Sequence, residues 1–276
     1  VRLARVFPSK TTATPTDELA FYGPPSMMFP PEVDKVHIST VFTWDINKAE
    51  MLAEQWKQIA PVDIGGPAYG KPSYDFVSGR YLRPGYVMTS RGCNNKCWFC
   101  KVWKRQPELI ELPINDGRII QDDNLLACSE KHIREVFEML ERQPHKPEFT
   151  GGIEAALLKP WHVDLFLKVK PKQIFFAYDE ERDYEPLREA SKLLRDSGLL
   201  RSHIVRAYVL IGYPRDTKED ATTRLRKVME LGIMPFAMLY RDDNGAVRGD
   251  WRKFQRLWAN PTILGSKMKE YRQQFM

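Results

Sequence analysis

Arg91-Gly92-Cys93-Asn94-Asn95-Lys96-Cys97-Trp98-Phe99-Cys100 holds three of the four cysteines in a chain of 276 residues, spaced Cys-x3-Cys-x2-Cys. Three thiolates on one tight loop can hold three irons of a four-iron cluster and leave the fourth iron open. Soft thiolate ligands select iron–sulfur clusters, zinc or copper(I). A disulfide with a spare thiol fits less well, because no secretory signal is visible at the N-terminus. A structural zinc wants a fourth ligand, yet no histidine lies between Ile38 and Lys131. Zinc knuckles and ribbons pair two close cysteines with a distant second pair, and only Cys128 remains.

Around this loop the composition is ordinary. Hydrophobic content of 43% and charged content of 28% suit a globular α/β chain with a substantial core. No apolar run approaches a membrane span, so no membrane partner is expected. The cysteine usage points to a reducing, cytoplasmic setting. Net charge is +6 and unevenly spread. Seven basic and no acidic residues fall between Phe76 and Pro107, and eight basic against four acidic between Arg241 and Met276. The first run is read as offsetting a negative thiolate cluster. A basic face also steers anionic partners such as nucleic acid.

The first thirty residues, rich in Pro and Thr, read as an irregular arm. Val36–Phe42 and Pro61–Ile64 read as strands flanking a helix from Ile46 to Lys57, capped by Asp45, a small β-α-β extension within residues 1–84. From Gly85 to about residue 242 strands and helices alternate, the pattern of a parallel sheet with crossover helices. The strands are Tyr86–Thr89, Arg118–Gln121, Glu148–Thr150, Gln173–Tyr178, Ile204–Ile211 and Pro235–Tyr240. Helices are predicted after Ser129, near Trp161–Val169 and Pro186–Ser197, and from Lys218 to Leu231. Residues 243–276 form a helical tail in which Trp251, Phe254 and Trp258 face inward at helical spacing.

The cysteine spacing, with the aromatic Phe99 just before the last cysteine, resembles the signature of the radical S-adenosylmethionine superfamily. With it the six strands resemble that superfamily's open barrel, from about Gly85 to Tyr240. The resemblance implies an α/β fold built on a partial (β/α)6 TIM-like barrel. It implies that Cys93, Cys97 and Cys100 hold a 4Fe–4S cluster whose open iron chelates the methionyl amino and carboxyl groups of S-adenosylmethionine. A one-electron reductant of flavodoxin or ferredoxin type then drives cleavage to a 5′-deoxyadenosyl radical that abstracts hydrogen from a substrate. The β-α-β extension resembles a truncated cobalamin-binding domain, but Asp34-Lys35-Val36-His37 lacks the Asp-x-His-x-x-Gly spacing, so no cobalamin is expected.

In parallel barrels function gathers at the C-terminal strand ends. Thr150-Gly151-Gly152-Ile153-Glu154 resembles the superfamily's glycine-rich motif, with backbone groups and Glu154 facing the methionyl ammonium. A plain strand-to-helix turn is the alternative. Asp179 is placed either on the ribose hydroxyls or as the next helix's N-cap. Ile211 and Gly212 resemble the strand that packs on adenine, and Met238 and Tyr240 offer backbone groups to its edge. Asp122 and Asp123, crowded with Asn124, suit proton transfer or substrate orientation, or else an Asx turn. Cys128 is read first as a small buried hydrophobe and second as a hydrogen-atom donor. A nucleic-acid base or nucleotide is the first substrate expected, ahead of a peptide or small metabolite. A non-catalytic iron–sulfur or zinc nucleic-acid-binding protein is the alternative from another class.

Overall fold

The computed structural model describes residues 1–71, 76–201 and 203–275. Near the N-terminus β1 (Leu3–Val6), β2 (Ala20–Phe21), β3 (Lys35–Ser39) and β4 (Val62–Gly65) form a parallel sheet, with helix α1 (Ile46–Trp56) between β3 and β4. The strand order is β2-β1-β3-β4. The expected β-α-β unit is present, but the first residues are not merely an arm. Leu3–Val6 lies inside the sheet, paired on both edges. Four residues are too few to display a period, so pairing with β2 and β3 decides this segment.

One face of the small sheet is apolar. Ala4, Val6, Val36 and Ile38 are buried with Ala49, Leu52, Ala53 and Trp56 of α1. The other face is polar and is covered by the chain that leads to the second sheet. There Arg5 donates to the carbonyls of Gly79 and Arg80, at 3.0 and 3.1 Å, and His37 Nδ1 lies 2.5 Å from the Tyr81 hydroxyl. Asp45 does not cap α1 through its side chain. A 3₁₀ turn over Thr43–Asp45 runs directly into the helix and its carboxylate makes no cap bond.

The larger unit begins with β5 (Tyr86–Val87), β6 (Ser90–Arg91), the short helix α2 (Val102–Arg105), β7 (Ile110–Glu111) and β8 (Ile119–Ile120). It continues as α3 (Glu130–Glu141), β9 (Glu148–Ile153), α4 (Pro160–Val169), β10 (Gln173–Ala177) and α5 (Tyr184–Asp196). It closes with β11 (Val205–Ile211), α6 (Lys218–Glu230), β12 (Met234–Leu239), α7 (Trp251–Ala259) and α8 (Pro261–Phe275). The six-stranded sheet is parallel throughout, in the order β12-β11-β10-β9-β8-β5. Each strand therefore lies beside its predecessor in this series. All six C-terminal ends open on one edge, and β5 and β12 are the outer strands.

All six strands expected from the sequence are found, within a few residues at each end. Ser129 caps α3 by accepting from His132 N–H at 3.2 Å, and Gly198 and Gly232 follow the ends of α5 and α6. The third strand differs. β9 passes through Gly151-Gly152 to Ile153, beyond the expected end at Thr150. In the tail, Trp251 and Trp258 are buried and Phe254 packs beside them, so α7 is a packing helix on β12. Among the described residues no helix is long and apolar enough to cross a membrane.

Phe137, Phe149 and Phe166 interlock at the centre of the large core, with ring centroids 5.0 to 5.5 Å apart. Each comes from a different element (α3, β9 and α4), so together they fix the helices against the strand that carries the glycine motif. Phe166 is fully buried. Phe166→Ala is expected to cost about 3–5 kcal/mol of stability. Urea denaturation would show this as a lower midpoint at unchanged slope.

Candidate functional site

The chain leaves β5 at Thr89-Ser90 and enters the cysteine loop, whose neck is the antiparallel pair β6–β7. That exit is clamped by Asp122. Its carboxylate accepts from Thr89 N–H at 2.7 Å, Thr89 Oγ1 at 2.6 Å and Ser90 Oγ at 2.7 Å. Burial pushes this carboxyl above its ordinary range, and the Thr89 and Ser90 bonds pull it back. Asp122 is 1% exposed, with both oxygens engaged inside the protein. It therefore positions the loop and does not reach a ligand, which corrects the proton-transfer reading. Cys128 is likewise buried, its thiol pushed up to about 12 by burial, and it stands off the cavity wall. The small-hydrophobe reading stands and the hydrogen-donor reading is dropped.

Beyond the clamp lies a cavity of about 640 Å³ at the C-terminal ends of β9 and β10. Cys93, Cys97, Phe99 and Cys100 line one side. Gly151, Gly152 and Glu154 line another, and Asp179, Glu180 and Asp183 a third. The glycines are required by the backbone. A Cβ on Gly151 would collide with the Asp122 carbonyl oxygen, and Gly152 has φ 101°. Between the Phe149–Ile174 and Ile153–Phe176 pairs, three residues of β9 oppose one of β10. The strand bulges there and turns its backbone into the cavity.

Glu154 follows the bulge and ties it to the cysteine loop. Its Oε2 accepts from Asn95 Nδ2 at 2.8 Å and from Asn124 Nδ2 at 2.6 Å. Asn124 Nδ2 also stands 3.7 Å from Cys93 Sγ. Asn124 belongs to the polar cluster expected at this strand end, whereas nothing in the sequence marks Asn95, because an asparagine in a loop carries no signal of where its amide points. Asp123 also lines the cavity and accepts from Gly92 N–H at 2.9 Å.

All three cysteines are free and half-buried. Cys93 Sγ accepts from Asn95 N–H and Cys100 Sγ from Val102 N–H, each at 3.4 Å. Burial pushes the Cys93 thiol up, and that of Cys97 up to about 11, with the neighbouring Cys100 adding to the second shift. A metal ion's charge beside these thiols would draw their ionisation back down. Among the described residues no three Cys, His, Asp or Glu side chains converge to hold a single metal ion. Three cysteines on the lining of one cavity are a donor set of the kind that soft metals and iron–sulfur clusters take.

Asp179 is half-buried between two cavities. Its Oδ1 accepts from Leu210 N–H at 2.8 Å. Burial raises its carboxyl to about 7, with Asp183 and Glu180 adding to the rise and the Leu210 bond opposing it. It is not a helix cap. Asp183 accepts from the N–H groups of Asp179 and Glu180 instead, at 3.0 and 2.8 Å.

A second cavity of about 440 Å³ shares Asp179 and Glu180 with the first. Trp98 and Tyr213 form part of its wall, and Trp98 also contacts Phe99 and Tyr240. Arg215, at its rim, holds φ 71°, a left-handed conformation that costs a non-glycine residue about 1–2 kcal/mol.

Other expected contacts fall elsewhere. Thr150 Oγ1 is held by the Gln121 side chain and its carbonyl by the Tyr208 hydroxyl, at 3.1 Å for the latter. Ile211 is wholly buried in the core, and Gly212 N–H donates to Asp216 at 2.7 Å. Met238 is exposed and Tyr240 packs on Trp98. None of these five lines the cysteine cavity. In comparison with known proteins, the chain matches no family model and no curated sequence.

The Asp179 carboxyl binds a proton up to about pH 7 in the folded protein but only to about pH 4 when unfolded. Between those values the native state holds more protons, so this residue's contribution to stability falls as pH rises. Asp179→Asn should remove that slope. Urea midpoints of wild type and variant, followed from pH 4.5 to 7.5, should separate in the variant's favour as pH rises; parallel curves would contradict the assignment.

Proposed function

We propose that this protein is a radical S-adenosylmethionine enzyme whose six-stranded unit is a partial (β/α)6 barrel. The observation that carries the reading is convergence. Cys93, Cys97 and Cys100, the Gly151-Gly152 bulge, Glu154 and Asp179 come from separate strand ends and line one cavity. A zinc-bearing binding protein needs the cysteines but has no use for the rest of that wall.

Cys93, Cys97 and Cys100 would hold a 4Fe–4S cluster, which when bound would supply the electron for reductive cleavage of the sulfonium. The chain's own residues bind and orient. Both amide bonds to Glu154 fall on Oε2, so Oε1 is left to accept from the methionyl ammonium. The second oxygen of Asp179 is available for ribose hydroxyls. Asp123, Glu154, Glu180 and Asp183 outnumber Lys96 and Arg182 on this wall, a balance that complements a sulfonium. The half-buried site shields a reactive intermediate from water. The reductant is of flavodoxin or ferredoxin type, and the substrate is proposed to be a nucleobase or nucleotide.

Anaerobic reconstitution with iron and sulfide, followed by S-adenosylmethionine and dithionite, should yield 5′-deoxyadenosine by mass spectrometry. Cys97→Ala should reduce it to background. Protein that takes up zinc and no iron would overturn the reading. Glu154→Gln should leave the iron content intact and weaken S-adenosylmethionine binding about tenfold, the scale of one charge-assisted hydrogen bond. Equilibrium dialysis with labelled ligand measures that loss.

A further inference from the structure

The second cavity carries groups that the cysteine cavity does not use. Trp98 stands between Cys97 and Phe99 in the cysteine loop, yet 46% of it remains in solvent. Phe99 and Tyr213 meet it edge-on at 5.5 Å, and Tyr240 lies 5.8 Å away. An indole held by three rings and still exposed is a ready stacking platform.

The charges around it are unevenly committed. Arg224 pairs with Asp216 at 2.9 Å, Lys227 with Glu181 at 2.6 Å, and Arg182 with Glu180 at 2.6 Å. Asp220 accepts from the Thr217 hydroxyl at 2.7 Å, and Asp179 from Leu210 N–H. Every carboxylate on this wall therefore has a partner. Arg215 has none: among the described residues it makes no hydrogen bond or ion pair, although it lines the cavity. It also sits at φ 71°, where glycine would be unstrained. The turn Tyr213-Pro214-Arg215-Asp216, closed by Asp216 N–H on the Tyr213 carbonyl at 3.0 Å, places Arg215 at the position where a positive φ recurs.

We infer that this second cavity is the substrate pocket and takes a phosphorylated nucleoside unit, its base stacked on Trp98 and its phosphate paired with Arg215. Guanidinium forks suit phosphate because two N–H groups meet two oxygens at once. The volume of about 440 Å³ falls among pockets that enclose a whole small molecule, roughly 300–1,000 Å³. The wall shared through Asp179 and Glu180 sets this occupant beside the cysteine cavity. That the occupant is the substrate rests on the radical-enzyme reading; that it binds here does not.

The test is binding, measured calorimetrically on reconstituted protein saturated with S-adenosylmethionine. The probes are the four ribonucleoside monophosphates, the four nucleosides and a 5′-phosphorylated trinucleotide. At least one monophosphate, or the trinucleotide, should bind about tenfold tighter than its nucleoside, the scale of one bidentate phosphate contact. A free nucleotide and a strand residue share this chemistry, and the relative affinities of monophosphate and trinucleotide tell which is the source. Arg215→Gly removes the cation while relieving the strain. It should abolish the phosphate preference with melting temperature unchanged or raised. Trp98→Ala should weaken nucleoside and nucleotide alike while iron content holds.

An unchanged phosphate preference in Arg215→Gly would overturn the inference, as would binding abolished by S-adenosylmethionine, which would place the nucleotide in the cysteine cavity. Absence of saturable binding by every probe would overturn it too. If 5′-deoxyadenosine never forms but the Arg215-dependent preference persists, only the radical reading fails. If 5′-deoxyadenosine forms and the preference is absent, only the nucleotide pocket fails.

Discussion

Asp122 joins the two halves of the site. Its carboxylate gathers Thr89 and Ser90 where β5 releases the cysteine loop, and its own carbonyl oxygen presses on Gly151 so closely that no side chain fits there. A buried carboxylate with three donors is held firmly, because leaving any of them unmet inside the protein costs more than the bond returns. The cysteine loop and the glycine bulge are thereby registered to one residue. Glu154 repeats the connection a few residues on, binding Asn95 of the loop and Asn124 of the second strand's end.

The sheet order makes that registration useful. Because each of the six strands lies beside its predecessor, every strand end reaches the same edge, and residues far apart in the chain line one cavity. Phe137, Phe149 and Phe166 fix the third strand from beneath. Packing below and hydrogen bonds above leave the bulge little freedom, the condition under which a site holds a ligand without reorganising.

The smaller sheet contributes differently. Its apolar face is closed by α1, and its polar face is taken up by internal bonds from Arg5 and His37 to residues 79–81. Lys101 pairs with Asp243, and Arg83 and Lys104 lie over the rings of Tyr86 and Trp103. Much of the basic run that frames the cysteine loop is thus engaged with its own surroundings, which weakens its value as a sign of an anionic partner. Arg215 on the wall of the second cavity is not engaged in this way among the described residues.

The sequence by itself determined the parallel strand–helix alternation, the ends of most elements and the clustering of three cysteines, because these depend on periodicity, caps and spacing within a few residues. It marked Gly151, Gly152, Glu154 and Asp179, since unusual residues at strand ends are visible in a one-dimensional pattern. Which polar groups face inward was decided only by the tertiary structure. Asp122 and Asp123 are adjacent and chemically identical, yet one is sealed beneath Thr89 and Ser90 while the other lines the cavity. Leu3–Val6 looked irregular until two neighbouring strands paired with it, and Asn95 and Arg215 gained meaning only from partners, or the lack of them, remote in the chain. Local pattern fixes where an element begins and which way its side chains alternate. Packing against distant residues decides which of those side chains meets a ligand.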